Sequence, residues 1–307
     1  MAEQQRVIVT GATGLIGKAL CRRLIEKGYA VVVFSREPET ARQAVPGAAE
    51  YVAWTPGESG PWVAAVDGAY AVISLAGASI AGKRWSPQYK QQILNTRTLG
   101  TRGLVKAMAQ ASRKPRVLIS GSAVGYYGFR DDTPLDEAAT PGDDFLANVV
   151  KAWEAEAVKA ETLGIRTVLI RTGIVLDKQE GALPQMMLPF RLFAGGPVLP
   201  GTQWFSWVHL ADEVGIILWA LEDERVRGPV NATAPEPATN KTFSSTLGKV
   251  MGRPAWAPVP GFALRIIVGE AEQLLTTGQR VLPKKAQDLG YQFQFPTLEP
   301  ALRNILS

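Results

Sequence analysis

Apolar residues fall along this chain in two alternating rhythms, short unbroken runs and longer stretches that repeat every three to four positions. The runs Arg6-Val-Ile-Val-Thr10, Ala30-Val-Val-Val-Phe34, Tyr70-Ala-Val-Ile-Ser-Leu75, Arg116-Val-Leu-Ile-Ser120 and Thr167-Val-Leu-Ile170 predict strands buried on both faces, with a shorter strand near Glu50 to Ala53. Between them Leu15, Ile16, Ala19, Leu20, Leu24 and Ile25 recur at helical spacing, and helices are expected near Pro38 to Ala44, Pro87 to Ala111 and Asp144 to Leu163. Alternation of this kind predicts an α/β fold, a doubly wound parallel sheet with right-handed crossovers and strand order three-two-one-four-five-six. Past Gly181 the rhythm lapses into Pro/Gly-rich and Trp-bearing segments, which predict a smaller C-terminal lobe. The expected boundaries are 1–180 for the sheet domain, with 210–235 returning to it, and 181–209 with 236–307 for the lobe.

The first strand runs into Gly11-Ala-Thr13-Gly14-Leu15-Ile16-Gly17 and directly on into the first helix. Gly11 lets the chain turn off the strand, Gly14 lets main-chain N–H groups approach an anion with no Cβ in the way, and Gly17 lets helix and strand pack closely. Unpaired N–H groups at the helix start then face a pyrophosphate. The second strand ends in Ser35-Arg36 where an acidic residue would take a ribose 2′-hydroxyl, so NADP(H) is expected over NAD. Glu37 offers Arg36 an alternative partner. The 1–180 unit therefore reads as an NADP-binding domain of the Rossmann kind and the smaller lobe as the substrate side. Leu75-Ala76-Gly77 should let a ribose lie against the fourth strand, and Arg97 should point back to the same crevice.

Composition narrows the rest. With 46% hydrophobic residues in 307, one large core and an appendage can be buried. No apolar run is long enough to cross a bilayer, and Met1 to Arg6 carries no signal-peptide core, so a cytoplasmic protein is expected. The single cysteine, Cys21, excludes disulfides and cysteine metal sites within the chain and is expected to pack on the first helix. His209 is the only histidine and builds no zinc cluster; it reads as a general acid or as a histidine satisfied by Asp212. A net charge of +5, spread along the chain, suits anionic small molecules, and neither nucleic acid nor membrane is expected as a partner. An oligomer is left open.

Chemistry should sit past the fifth strand, at Ser122-Ala-Val-Gly-Tyr126-Tyr127-Gly128. None of the seven tyrosines is followed four places later by a lysine. Lys151 stands on the next helix with Ala147 four places before it, and alanine transfers no proton. By resemblance to extended short-chain dehydrogenase/reductases, Ser122 is the expected oxygen ligand and, with the usual tyrosine missing, Tyr126 or Tyr127 is the candidate acid and Lys151 or Glu154 an assistant. In the competing reading the tyrosines pack over a bound cofactor that is never turned over, and the protein is a sensor or scaffold. Arg171-Thr-Gly173-Ile174 ends the sixth strand beside the expected nicotinamide, and the aromatic stretch Met187 to Asp212 should line a substrate pocket.

Together with Lys83-Arg-Trp85, Trp153-Glu154, Gly195-Gly-Pro197, Gln203-Trp-Phe-Ser-Trp207-Val-His209, Asn231 to Pro237 and Gly278-Gln-Arg-Val-Leu-Pro283, these motifs resemble one group over nearly the whole chain. It is the atypical epimerase family of extended short-chain dehydrogenase/reductases. The resemblance implies NADP(H) held by Ser35, Arg36, Leu75, Ala76, Arg97 and Ile174, with Gln92 as a further contact, and a small C-terminal domain that closes the protein. It implies hydride chemistry on a small carbonyl or hydroxyl compound whose identity it does not specify, since the usual catalytic tyrosine is missing from this pattern too.

Overall fold

A computed structural model describes residues 4–307, the side chains of Ala263, Ile267 and Val268 excepted. Seven strands form the central sheet: β1 (Arg6–Thr10), β2 (Ala30–Ser35), β3 (Glu50–Ala53), β4 (Ala71–Ser74), β5 (Val117–Ala123), β6 (Arg166–Thr172) and β7 (Gly228–Ala232). They lie in the order β3-β2-β1-β4-β5-β6-β7, every neighbouring pair parallel. This is the expected Rossmann order carried one strand further, because the segment around Val230 returns to the sheet edge beside β6.

Strand alternation sends Val7, Val9, Val33, Ile73 and Ile119 to one face, under α1 (Leu15–Glu26), α2 (Pro38–Ala44) and α6 (Leu210–Glu222). Ile8, Val32, Phe34, Val72 and Leu118 turn to the other, under α3 (Pro87–Gln110) and the end of α4 (Phe145–Ala157). Both faces are covered, which is why these strands read as continuous apolar runs. Cys21 packs as expected: it is buried in α1, and burial pushes its thiol up to about 12.

Two strands outrun the sequence expectation. β5 continues past Ser120 to Ala123 and β6 past Ile170 to Thr172, because ladder pairing persists through Ser122 opposite Arg171 and Ala123 opposite Thr172. That extension places Ser122 and Arg171 side by side on one face. The expected helix to Leu163 divides instead, with α4 ending at Ala157 and a tighter turn over Val158–Leu163 closing at Gly164, whose φ is 79°.

A separate apolar core lies outside the sheet. α5 (Leu183–Arg191) contributes Leu183, Met187 and Phe190, α7 (Asn240–Met251) contributes Phe243 and Leu247, and the C-terminal helix Leu298–Leu306 adds Leu298 and Leu302. Arg280-Val281 pairs with Pro134-Leu135 and so ties this region to the loop that follows β5. α8 (Gly261–Val268) is held against the sheet domain by Arg84, which donates to the Ile266 carbonyl at 3.0 Å, and by the Lys90–Glu270 ion pair beyond its end.

Candidate active site

The glycine turn is built to leave room. Gly11 has φ +71°, and a Cβ there would meet the Leu75 carbonyl carbon and the Ala76 nitrogen at 2.8 Å. At Gly17 a Cβ would stand 2.2 Å from the Gly11 oxygen, so this glycine is demanded by packing. Gly14 differs: a Cβ would meet only the Gly11 oxygen, at 3.4 Å, and the space above it is open. No side chain caps α1, and the N–H groups of Leu15 and Ile16 find no acceptor among the described residues. Thr13 and Gly14 are exposed at the rim. Open ground beneath unpaired donors and a helix dipole fits a diphosphate. Thr10 Oγ1 accepts from the Ala76 N–H at 3.2 Å and fixes the Leu75-Ala76 edge beside it.

At the end of β2 the Ser35 hydroxyl accepts from the Glu37 N–H at 3.2 Å, which turns the chain. Arg36 is exposed and forms no ion pair among the described residues, and Glu37 accepts from the Thr40 hydroxyl at 3.1 Å. The alternative partner offered by the sequence is thus engaged elsewhere, and the guanidinium stands free for a phosphate monoester. Arg97 donates to the carbonyls of Ala78 at 3.0 Å and Ile93 at 3.1 Å, and its guanidinium fills the space a Gly77 side chain would need. Burial depresses it to about 10, and no carboxylate pairs with it among the described residues. Gln92 is exposed on α3, and Ile174 is half-buried with its N–H given to the Ser206 carbonyl at 2.8 Å.

Past β5 the strand extension assembles a buried polar cluster. Ser122 Oγ donates to Glu154 Oε1 at 2.6 Å, and Arg171 grips both oxygens of Glu154 through Nε at 2.9 Å and a terminal nitrogen at 3.0 Å. The other terminal nitrogen of Arg171 donates to the Tyr127 hydroxyl at 3.0 Å, and that hydroxyl donates to Asn231 Oδ1 at 2.7 Å. The guanidinium also lies 3.4 Å from the centre of the Tyr126 ring. Arg171 is 3% exposed, yet it stays charged: burial alone would lower its pKa, but the bonds to Glu154 and Tyr127 push it up. Tyr127 is 0% exposed, and burial pushes its phenol up to about 12 against the pull of Arg171.

The candidate residues therefore separate. Ser122, Tyr126 and Tyr127 come together around Arg171, whereas the Lys151 ammonium turns to the Gly142 carbonyl at 3.1 Å. His209 is not satisfied by Asp212. Its Nδ1 accepts from the Ala211 N–H at 3.0 Å as the cap of α6, and Asp212 binds the N–H groups of Gln294 and Phe295 instead. From the sequence, Arg171 and Asn231 are named only as parts of motifs, without the charge or the hydrogen bond they bring to the cluster, and Glu137 is not named. Glu137 accepts from the Asn231 and Lys285 N–H groups and so locks β7 to the C-terminal segment. The available signal was Arg171 itself: an arginine inside an apolar strand requires a buried partner, and Glu154 interrupts the apolar face of α4.

A seven-stranded parallel sheet, a Gly-x-x-Gly-x-x-Gly turn and a polar cluster at the strand ends define a dinucleotide-binding protein of the short-chain dehydrogenase/reductase class. Within that class the chain belongs to the NAD dependent epimerase/dehydratase family, whose profile matches residues 7–232, and a domain of unknown function, DUF1731, matches 259–305. It is 41% identical to an epimerase family protein SDR39U1 homolog, chloroplastic, of Arabidopsis thaliana, over 99% of this chain and 87% of that protein. It is 39% identical to epimerase family protein YfhF of Bacillus subtilis, over 98% of each. The crystal structure of human SDR39U1 (isoform 2) with NADPH superposes with a TM-score of 0.85 at 35% identity, covering 98% of this chain and 99% of that one.

Proposed function

We propose that this chain is a cytoplasmic NADP(H)-dependent oxidoreductase or epimerase of small carbonyl or hydroxyl compounds, with Arg171 in place of the absent Tyr-x-x-x-Lys lysine. The glycine turn with its open ground above Gly14, the free Arg36 and the unpaired Arg97 fit NADPH, which the human relative holds. Bound there, the cofactor would give hydride to a carbonyl carbon or take it from an alcohol carbon. The observation that carries the reading is the fixed cation, 3.4 Å over the Tyr126 ring and tied through Glu154 to Ser122. A cation held beside the candidate phenol is what the lysine of the usual pair supplies.

Because the Ser122 proton points to Glu154, the Ser122 oxygen presents lone pairs and would accept from a substrate hydroxyl. Tyr126, half-buried, is the phenol assigned to proton transfer at the substrate oxygen. Tyr127, sealed between Arg171 and Asn231, would position the guanidinium, and Lys151 would order the 142 loop from the helix that carries Glu154. The self-satisfaction of this cluster also supports the second reading, a non-catalytic NADPH sensor. A panel of aldehydes, ketones and α-dicarbonyls is followed by NADPH absorbance with wild type, Tyr126→Phe and Ser122→Ala. Turnover lost by at least a hundredfold in both variants, with NADPH affinity kept, supports the enzyme. NADPH bound but never oxidised across the panel supports the sensor.

A further inference from the structure

Large apolar side chains are exposed together in one region. Leu192, Trp256, Phe262 and Ile266 are each 70% exposed or more, and Leu188 and Phe193 are more than half exposed. The segments that carry them are one surface: Trp256 Nε1 donates to the Phe193 carbonyl at 3.0 Å, Ala257 N–H to Gly195 at 3.0 Å, and Val259 N–H to Pro197 at 2.8 Å, two residues before α8 begins. Six large apolar side chains exposed along two hydrogen-bonded segments and the helix that continues one of them go beyond the singly scattered apolar residues of an ordinary surface.

The charge around this patch is predominantly positive. Residues 181–211 and 237–269 contain no Asp or Glu, and neither does 68–130, which brings Lys83 and Arg84 to the α8 end. Arg191, Arg253 and Arg265 are exposed without an ion pair among the described residues, and Arg253 lies 4.4 Å over the Phe193 ring. The nearest acid beyond α8, Glu270, is neutralised by Lys90, and Glu272 accepts from the Thr276 hydroxyl. A second copy docked here about a two-fold axis would bring these arginines toward their own counterparts. Aromatic and aliphatic side chains beside an excess of unpaired arginines match a surface that is apolar below and anionic at its rim.

We propose that the face formed by the end of α5, the 253–259 segment and α8 docks on an anionic lipid bilayer surface. No helix among the described residues is long and apolar enough to cross a membrane, so the contact is peripheral, with Trp256, Phe262 and Leu192 entering the headgroup boundary and the arginines meeting lipid phosphates. It revises the sequence expectation of no membrane partner and stands apart from the assignment of the polar cluster.

The test is flotation of the full chain, saturated with NADPH, with vesicles of phosphatidylcholine containing about 30% phosphatidylglycerol, alongside vesicles of phosphatidylcholine alone. Binding to the anionic vesicles is expected, at least tenfold stronger than to the neutral ones and weakened by salt. The double variant Trp256→Glu, Phe262→Glu should lose it, while Lys106→Glu, exposed on α3, should retain it. NADPH affinity measured on the same samples shows that each variant is folded. Absence of flotation overturns the proposal, as does flotation that the double variant keeps. A wild-type dimer in light scattering that the double variant converts to monomer also overturns it, because a second copy then covers the patch.

Discussion

The two halves of the site are made of different material. The cofactor turn is main chain: seven consecutive residues, with glycines where packing or an anion forbids a Cβ. The cluster beyond β5 is side chain: Ser122, Tyr127, Glu154, Arg171 and Asn231, drawn from β5, the turn after it, α4, β6 and β7. A main-chain site tolerates change at open positions and fails at crowded ones. A buried side-chain network has no spare member, because each removal strands a partner.

The largest effect expected from that contrast is Arg171→Met. It leaves Glu154 buried, 7% exposed, with only the Ser122 hydroxyl, and should cost about 3–5 kcal/mol in urea unfolding. The double variant Arg171→Met, Glu154→Leu should recover most of that loss, since no charge is then stranded. A double variant as unstable as the single one would mean that the pair is not the unit described. On the main-chain side, Gly17→Ala drives a Cβ against the Gly11 oxygen and should cost about 1–3 kcal/mol as well as NADPH affinity. Gly14→Ala should change stability little and NADPH affinity clearly. Equal stability losses at the two glycines would erase the distinction between packing and ligand glycines.

The same contrast explains what the sequence disclosed. The end of the second run leaves Arg36 exposed, and the sheet order and the glycine turn were legible because each depends on local spacing or on a continuous apolar run. The ends of β5 and β6 were not, since Ser122, Arg171 and Thr172 are polar and interrupt those runs; only cross-strand pairing holds them in the ladder. Arg171 as the cation beside Tyr126 depends on a contact between residues 45 apart in the chain, with no periodicity to announce it. The expected pairing of His209 with Asp212 is absent for a related reason. The helix start is legible, but the partner expected for His209 is not the one it has: Nδ1 takes the Ala211 N–H, and Asp212 is claimed by Gln294 and Phe295 from the far end of the chain.

Arg36 tests the cofactor half at a smaller scale. Arg36→Ala should weaken NADPH binding by about 1.5–3 kcal/mol, the worth of hydrogen bonds to a charged group, and leave NADH binding nearly unchanged, both read by calorimetry. Equal losses for the two cofactors would place the 2′-phosphate elsewhere and leave Arg97 as the phosphate-side cation.

The effect that depends on pH compares two glutamates on opposite faces of β6. Arg171 turns to one face and meets Glu154; Thr172 turns to the other and donates to Glu213 at 2.8 Å. Glu213 is 0% exposed, and its second oxygen has no partner among the described residues, so burial pushes its carboxyl up to about 8. An unfolded glutamate titrates near 4.3, so between about pH 4.3 and 8 the folded chain holds a proton that the unfolded chain has released. The stabilisation is complete below that window and falls as pH rises through it, by about 1.4 kcal/mol per pH unit at most. Glu213→Gln removes the titrating group. Urea midpoints from about pH 5 to 8 should decline more steeply for wild type than for the variant, with the curves diverging toward higher pH. Parallel curves would mean that Glu213 is charged and compensated like Glu154, and the two faces of β6 would then solve the burial of a carboxylate in the same way.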